Sequence, residues 1–102
     1  LTTVASGICA SMATVIHQAG TNRVIETGCS YLIHDPSGAA MGSAGDMEDT
    51  TAWILSLKTR IHNILAERAK LTSEEIAEKS SRREWFLDDL EVLGFSLADE
   101  IR

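Results

Sequence analysis

The side chains of this sequence best placed to do chemistry are a serine and a histidine at the ends of apolar runs. Ser11 follows Ile8-Cys9-Ala10 and opens the apolar segment Met12 to Ala19, so it stands where a buried strand gives way to a helix. A serine there gains two advantages. Its hydroxyl is exposed at a sheet edge, and the amides of the helix start point at any oxyanion that forms beside it. To act as a nucleophile it needs a base, and His34 closes the run Ser30 to His34 just before Pro36, a rigid place from which to aim an imidazole. A third group would be a carboxylate that holds the imidazole tautomer, and Glu84 is one candidate among several acids. Spacing alone leaves plainer roles open, since a serine at a helix start also serves as an N-cap and a histidine after a strand also serves as a hydrogen-bonded structural group.

Other chemistries find less support. His17 lies in an apolar helix and His62 on a charged one, which suits packing or surface. Cys9, Cys29 and the histidines show neither C-x-x-C nor H-x-x-x-H spacing, so no metal site is expected. Gly38, Gly42 and Gly45 lack the Gly-Lys-Ser/Thr of a phosphate loop and the G-x-G-x-x-G of a dinucleotide fold, and no cofactor is expected. With 9 Lys+Arg against 15 Asp+Glu the net charge is −6, which disfavours phosphate backbones and so nucleic acid. No apolar run reaches the ~18 residues of a membrane span. Two cysteines without dense spacing fit a reduced, cytoplasmic chain. Leu1 in place of Met, with no basic-then-apolar leader, reads as a cut start.

The elements that must position Ser11 and His34 follow from the local pattern. At 102 residues, 44% apolar, with one Pro, the chain is one small folded α/β domain covering 1–102. Residues 1–10 read as a buried strand running into a turn, 11–19 as a short helix stopped by a left-handed Gly20, and 23–27 and 30–34 as strands separated by Gly28. The glycine-rich segment 37–45 reads as a loop. Residues 46–70 contain no Gly or Pro, and Ile54, Leu57, Ile61, Ile64 and Leu65 keep helical spacing. Acids at 46–49 and bases at Arg68 and Lys70 suit the two ends of that helix. Its roughly 36 Å, at 1.5 Å per residue, is long for so small a domain. Thr72 and Glu75 form a capping box with Leu71 and Ile76 as its hydrophobic staple, for a helix ending near Lys79. Asp88 caps a last short helix that Gly94 should end.

At these residues the sequence resembles the ClpP family, the proteolytic subunits of the Clp protease. The family's G-x-x-A-S-M segment is matched by Gly7-Ile8-Cys9-Ala10-Ser11-Met12, and its M-I-H-x-P segment by Leu32-Ile33-His34-Asp35-Pro36. A glycine-rich stretch, an aspartate opening a long helix, and a second helix before an aromatic-leucine pair follow in family order. The resemblance implies the ClpP/crotonase-like α/β fold, in part, and a serine endopeptidase subunit working by acyl transfer on peptide or unfolded protein. In that reading Ser11 is the nucleophile, His34 the general base, and the Met12 backbone amide an oxyanion donor. Counting back from Phe86 puts Glu84 where the family has its catalytic aspartate, with glutamate in its place.

The resemblance also implies a homo-oligomer of stacked rings interlocked through the helix at 46–70, and raises an ATP-dependent unfoldase as a partner. The family's N-terminal strands and the Gly-Gly loop that supplies a second oxyanion amide have no counterpart in these residues. Divergence of this kind is seen in the ClpP-like proteases with which phages process their proheads. The competing expectation is a non-catalytic ring subunit in which fold and assembly surface persist without turnover.

Overall fold

A computed structural model describes residues 1–102. Two three-stranded sheets follow one another along the chain. The first has the order β1-β3-β6, from Thr2–Ala5, Asn22–Ile25 and Glu100–Ile101; the second has the order β2-β4-β5, from Ile8–Ala10, Ser30–Ile33 and Trp85–Leu87. The first sheet is parallel throughout, whereas β5 joins the second antiparallel to β4. Helix α1 spans Met12–His17, α2 Ala44–Ala66, α3 Ser73–Ser80 and α4 Asp89–Gly94.

The expected single strand over residues 1–10 is two strands in different sheets. Its break falls at Ser6-Gly7, where Gly7 takes φ 67°, and the paired β3–β4 segment breaks opposite it at Gly28, φ 83°. Both are conformations that a side chain resists and glycine adopts freely. Pairing persists across the bend, with the Glu26 amide donating to the Ala5 carbonyl at 2.9 Å and the Ser30 amide to the Gly7 carbonyl at 2.9 Å. The register moves from Ala5 opposite Ile25 to Ile8 opposite Ser30, so β3–β4 carries two residues more than β1–β2 across the corner. That bulge turns the second sheet and with it the strand ends bearing Ser11 and His34.

The core is built from both sheets and the helices above them: Cys9, Ile25, Cys29, Tyr31, Ile33, Ile61, Leu65, Leu71, Ile76, Leu87, Val92 and Leu97 are all buried. Both cysteines are free, and burial pushes the Cys9 thiol up to about 11. Helix α2 starts earlier than its composition suggests, because Ser43 in the glycine-rich loop caps it. The Ser43 hydroxyl accepts from the Asp46 amide at 3.1 Å, and the Asp46 carboxylate accepts from the Ser43 amide at 3.2 Å. Only the C-terminal half of α2 is buried, at Ile61, His62 and Leu65, while Met47, Trp53 and Leu55 are exposed. The molecule measures 50 × 26 × 24 Å. No helix is long and apolar enough to cross a membrane.

Three expected helix ends differ. Gly20 does not take a left-handed conformation; it is glycine for space, since a Cβ there would lie 2.2 Å from the Thr3 hydroxyl and 3.0 Å from the Asn22 carbonyl oxygen. Gly94 lies inside the last turn of α4, and the left-handed residue is Ser96 at φ 58°. Around it the Leu97 amide donates to the Val92 carbonyl at 2.9 Å and the Ser96 amide to the Leu93 carbonyl at 3.0 Å, a Schellman closure. Helix α2 stops at Ala66, and Arg68 serves a different helix, donating to the carbonyls of Gln18 at 2.5 Å and Gly20 at 2.7 Å just past α1. The capping box at Thr72 forms as the sequence suggests, with Leu71 and Ile76 buried beside it, and Asp88 caps α4 as expected, its cap completed to a box by Glu91.

Candidate active site

Ser11 ends the β2–β4 ladder, its amide donating to the Leu32 carbonyl at 3.0 Å. It holds φ 57°, ψ −124°, a backbone conformation that favours glycine and costs a serine free energy. Its carbonyl is pinned by the Thr14 amide at 3.1 Å and the Thr14 hydroxyl at 2.6 Å. The side chain makes no cap to α1. Ser11 Oγ is instead hydrogen-bonded to His34 Nε2. Of the two roles the sequence leaves open for this serine, the N-cap is therefore the one it does not play.

His34 follows the last residue of β4, and its Nδ1 lies 2.7 Å from the Asp35 carbonyl oxygen. A carbonyl only accepts, so Nδ1 carries the proton and a neutral ring presents the Nε2 lone pair to the serine hydroxyl. That is the tautomer a general base needs. Glu84 stands just before β5, where the ladder ends with Ile33 opposite Trp85; His34 and Glu84 are the next residues beyond that last pair. The Glu84 side chain is exposed and makes no hydrogen bond or ion pair, so the serine and histidine are brought together and the glutamate stays beside them without contact. Met12 is the first residue of α1, and its amide is among those a helix start leaves without an intrahelical partner.

A buried polar network under the elbow went unnoticed in the sequence. The Tyr31 hydroxyl lies 3.0 Å from His17 Nδ1, 3.1 Å from Gln18 Nε2 and 3.2 Å from the Thr14 carbonyl, and His17 Nε2 lies 2.9 Å from the Val24 carbonyl. Burial holds His17 below its ordinary value, and the Val24 carbonyl requires the proton on Nε2. Arg23 extends the network, donating to Gln18 at 2.6 Å and forking onto Asp99 at 2.7 and 3.1 Å. These hydrogen bonds join α1, β3, β4 and the C-terminal segment. The one signal in the sequence was a tyrosine, a glutamine and an arginine inside otherwise apolar runs. No group of three or more His, Cys, Asp or Glu side chains is arranged to hold a metal.

The site thus brings together a serine at a strand-to-helix turn and a histidine at the end of the neighbouring parallel strand. The Clp protease family profile matches residues 1–102. The chain is 35% identical to the ATP-dependent Clp protease proteolytic subunit 2 of Tropheryma whipplei over 104 residues, covering 100% of this chain and 57% of that protein. It is also 35% identical to the protein of the same name from Chlamydia trachomatis over 97 residues, covering 93% of this chain and 47% of that one. The chain belongs to the Clp protease family. It spans about half the length of the curated relatives it matches.

Proposed function

We propose that this chain carries the catalytic part of a serine-type endopeptidase subunit that hydrolyses peptide bonds by acyl transfer. The observation that carries this reading is the Ser11 Oγ–His34 Nε2 hydrogen bond in the correct tautomer, on a backbone held in a glycine-like conformation. As Ser11 Oγ attacks the scissile carbonyl, His34 Nε2 takes its proton, and the carbonyl oxygen becomes an oxyanion facing the Met12 amide. Losing one such donor typically costs about 10²–10³ in rate. The imidazolium then gives its proton to the leaving amine, and a water, deprotonated by the same nitrogen, releases the acyl group. Glu84 supplies a negative charge across the β4–β5 ladder that steadies the imidazolium, while the Asp35 carbonyl keeps hold of Nδ1–H.

The exposed apolar residues on the projecting half of α2, Met47, Trp53 and Leu55, support assembly of copies through that helix into a homo-oligomer. The substrate is peptide or unfolded protein, the partner an ATP-dependent unfoldase, and the compartment the cytoplasm, which the buried free thiols suit. The test is labelling of the assembled protein with a fluorophosphonate, with the modified residue located by mass spectrometry. Label on Ser11 that disappears in Ser11→Ala and His34→Ala supports the peptidase. A folded, assembled protein that takes no label is a non-catalytic ring subunit.

A further inference from the structure

The residue after the histidine bears a carboxylate that the reaction above does not use. Asp35 Oδ2 lies 3.3 Å from Lys58 Nζ and 3.4 Å from the Arg82 backbone amide, while Oδ1 faces His62 Nε2 at 3.9 Å. Lys58 and His62 are four residues apart on α2 and so share one face of that helix. Asp35 Oδ1 and His62 Nε2 are the only buried side-chain polar atoms that lack a hydrogen-bond partner. Native structures rarely leave such atoms bare. These two point at each other, about 1 Å beyond hydrogen-bond distance, so a small movement of α2 or of the Asp35 turn closes the gap.

Three elements meet at this carboxylate. It follows His34 at the end of β4, is tied to α2 through Lys58 with His62 beside it, and is tied to the α3–β5 turn through Arg82, two residues before Glu84. Arg82 itself sits at φ 55°, so the turn is held rather than relaxed. The Asp35 main chain meanwhile supplies the carbonyl that fixes the His34 tautomer. The same residue thus orients the imidazole through its backbone and ties that backbone to the helix and to the Glu84 turn through its side chain.

We propose that Asp35, held by Lys58 of α2 with His62 facing it, is a positioning residue that sets the His34 imidazole against Ser11 and couples it to the placement of α2. The proposal rests on the peptidase reading of the site. If the clamp opens, the peptide after His34 is restrained only by Pro36, and its carbonyl no longer locks Nδ1–H. A displacement of the order of 1 Å at a reacting group costs up to about 10²-fold in rate. Because Lys58 and His62 belong to α2, a shift of that helix is felt at Nδ1 without any contact to substrate.

The test measures fluorophosphonate labelling of Ser11 as a function of probe concentration, in the assembled protein and in Asp35→Asn, Lys58→Met and Lys58→Arg. Asp35→Asn should lower the saturating labelling rate about 10-fold while the half-saturating concentration stays within about twofold, the pattern of lost alignment rather than lost binding. Lys58→Met should lower it several-fold, and Lys58→Arg should retain most of the original rate. Lys58 is partly exposed, so its pair of variants decides the matter if Asp35→Asn fails to fold. Label on the unsubstituted protein with no change in rate in Asp35→Asn, or with Lys58→Met and Lys58→Arg alike, overturns the assignment of Asp35 alone. No label on the unsubstituted, assembled protein overturns the peptidase reading and this assignment together.

Discussion

At most positions, replacing alanine by glycine destabilises a folded protein by roughly 0.5–1 kcal/mol, because the unfolded chain gains freedom. At position 11 the order should invert. Ser11 holds φ 57°, ψ −124°, and a side chain kept in so sparsely populated a region costs about 1–3 kcal/mol. Ser11→Ala and Ser11→Gly both lose the hydroxyl and its bond to His34 Nε2, so that term cancels between them. What remains is the relief of strain, about 1–3 kcal/mol, less the unfolded-state entropy of glycine, about 0.5–1 kcal/mol. The glycine variant should be the more stable by about 1 kcal/mol, or roughly 4–8 °C in Tm for a domain of this size. Denaturant titration by circular dichroism on both variants, with the midpoints compared at equal m, measures this. A glycine variant equal to or weaker than the alanine variant would refute the claim that this turn holds Ser11 under strain.

Gly20→Ala should cost about 1–3 kcal/mol, because the new methyl meets the Thr3 hydroxyl, which donates to the His17 carbonyl at 2.6 Å, and the rigid Asn22 carbonyl; a thermal melt reads it. Tyr31→Phe should cost a similar amount by stripping His17 and Gln18 of their shared buried partner, and should slow labelling of Ser11 as Thr14 loosens. Burial depresses both His17 and His62 below 6.5, so the unfolded chain takes up protons first. Stability should therefore hold above pH 6.5 and fall as pH drops towards each group's own value, by up to about 1.4 kcal/mol per pH unit for each histidine, with a flat denaturation midpoint between pH 7 and 5 counting against it. The Arg23 guanidinium beside Asp99 pulls that carboxyl down to about 2. The ion pair should contribute above pH 3.8 and be lost as pH falls towards 2; Asp99 is more than a third exposed, so screening holds this to about 1 kcal/mol, seen as a gap between the protein and Asp99→Asn that closes in acid.

What the sequence determined by itself is local. The capping box at Thr72, the cap at Asp88, the long helix, and the placement of Ser11 and His34 at strand ends depend on residues within a few positions of one another, and periodicity and cap chemistry report those directly. The start of α2 was already less plain, since Ser43 lies in a glycine-rich loop that composition marks as irregular. What only the tertiary structure decided involves residues far apart in the chain. The break of the first strand at Gly7 depends on the matching break at Gly28; Gly20 is glycine because Thr3 crowds it; Arg68 leaves its own helix to serve the carbonyls after α1. The site divides in the same way. Ser11 and His34 are named by their motifs, but the hydrogen bond between them comes from the pairing of β2 with β4, and the hold of Lys58 on Asp35 from the approach of α2 to the turn after β4. Glu84 shows the boundary most sharply, because the register of a three-residue strand sets it and His34 just past the last pair of the ladder, and no pattern within β5 alone encodes that placement. Short-range pattern carries the elements, and the pairing of distant segments carries the site, because a contact such as Ser11–His34 needs angles and distances that only a packed core holds still.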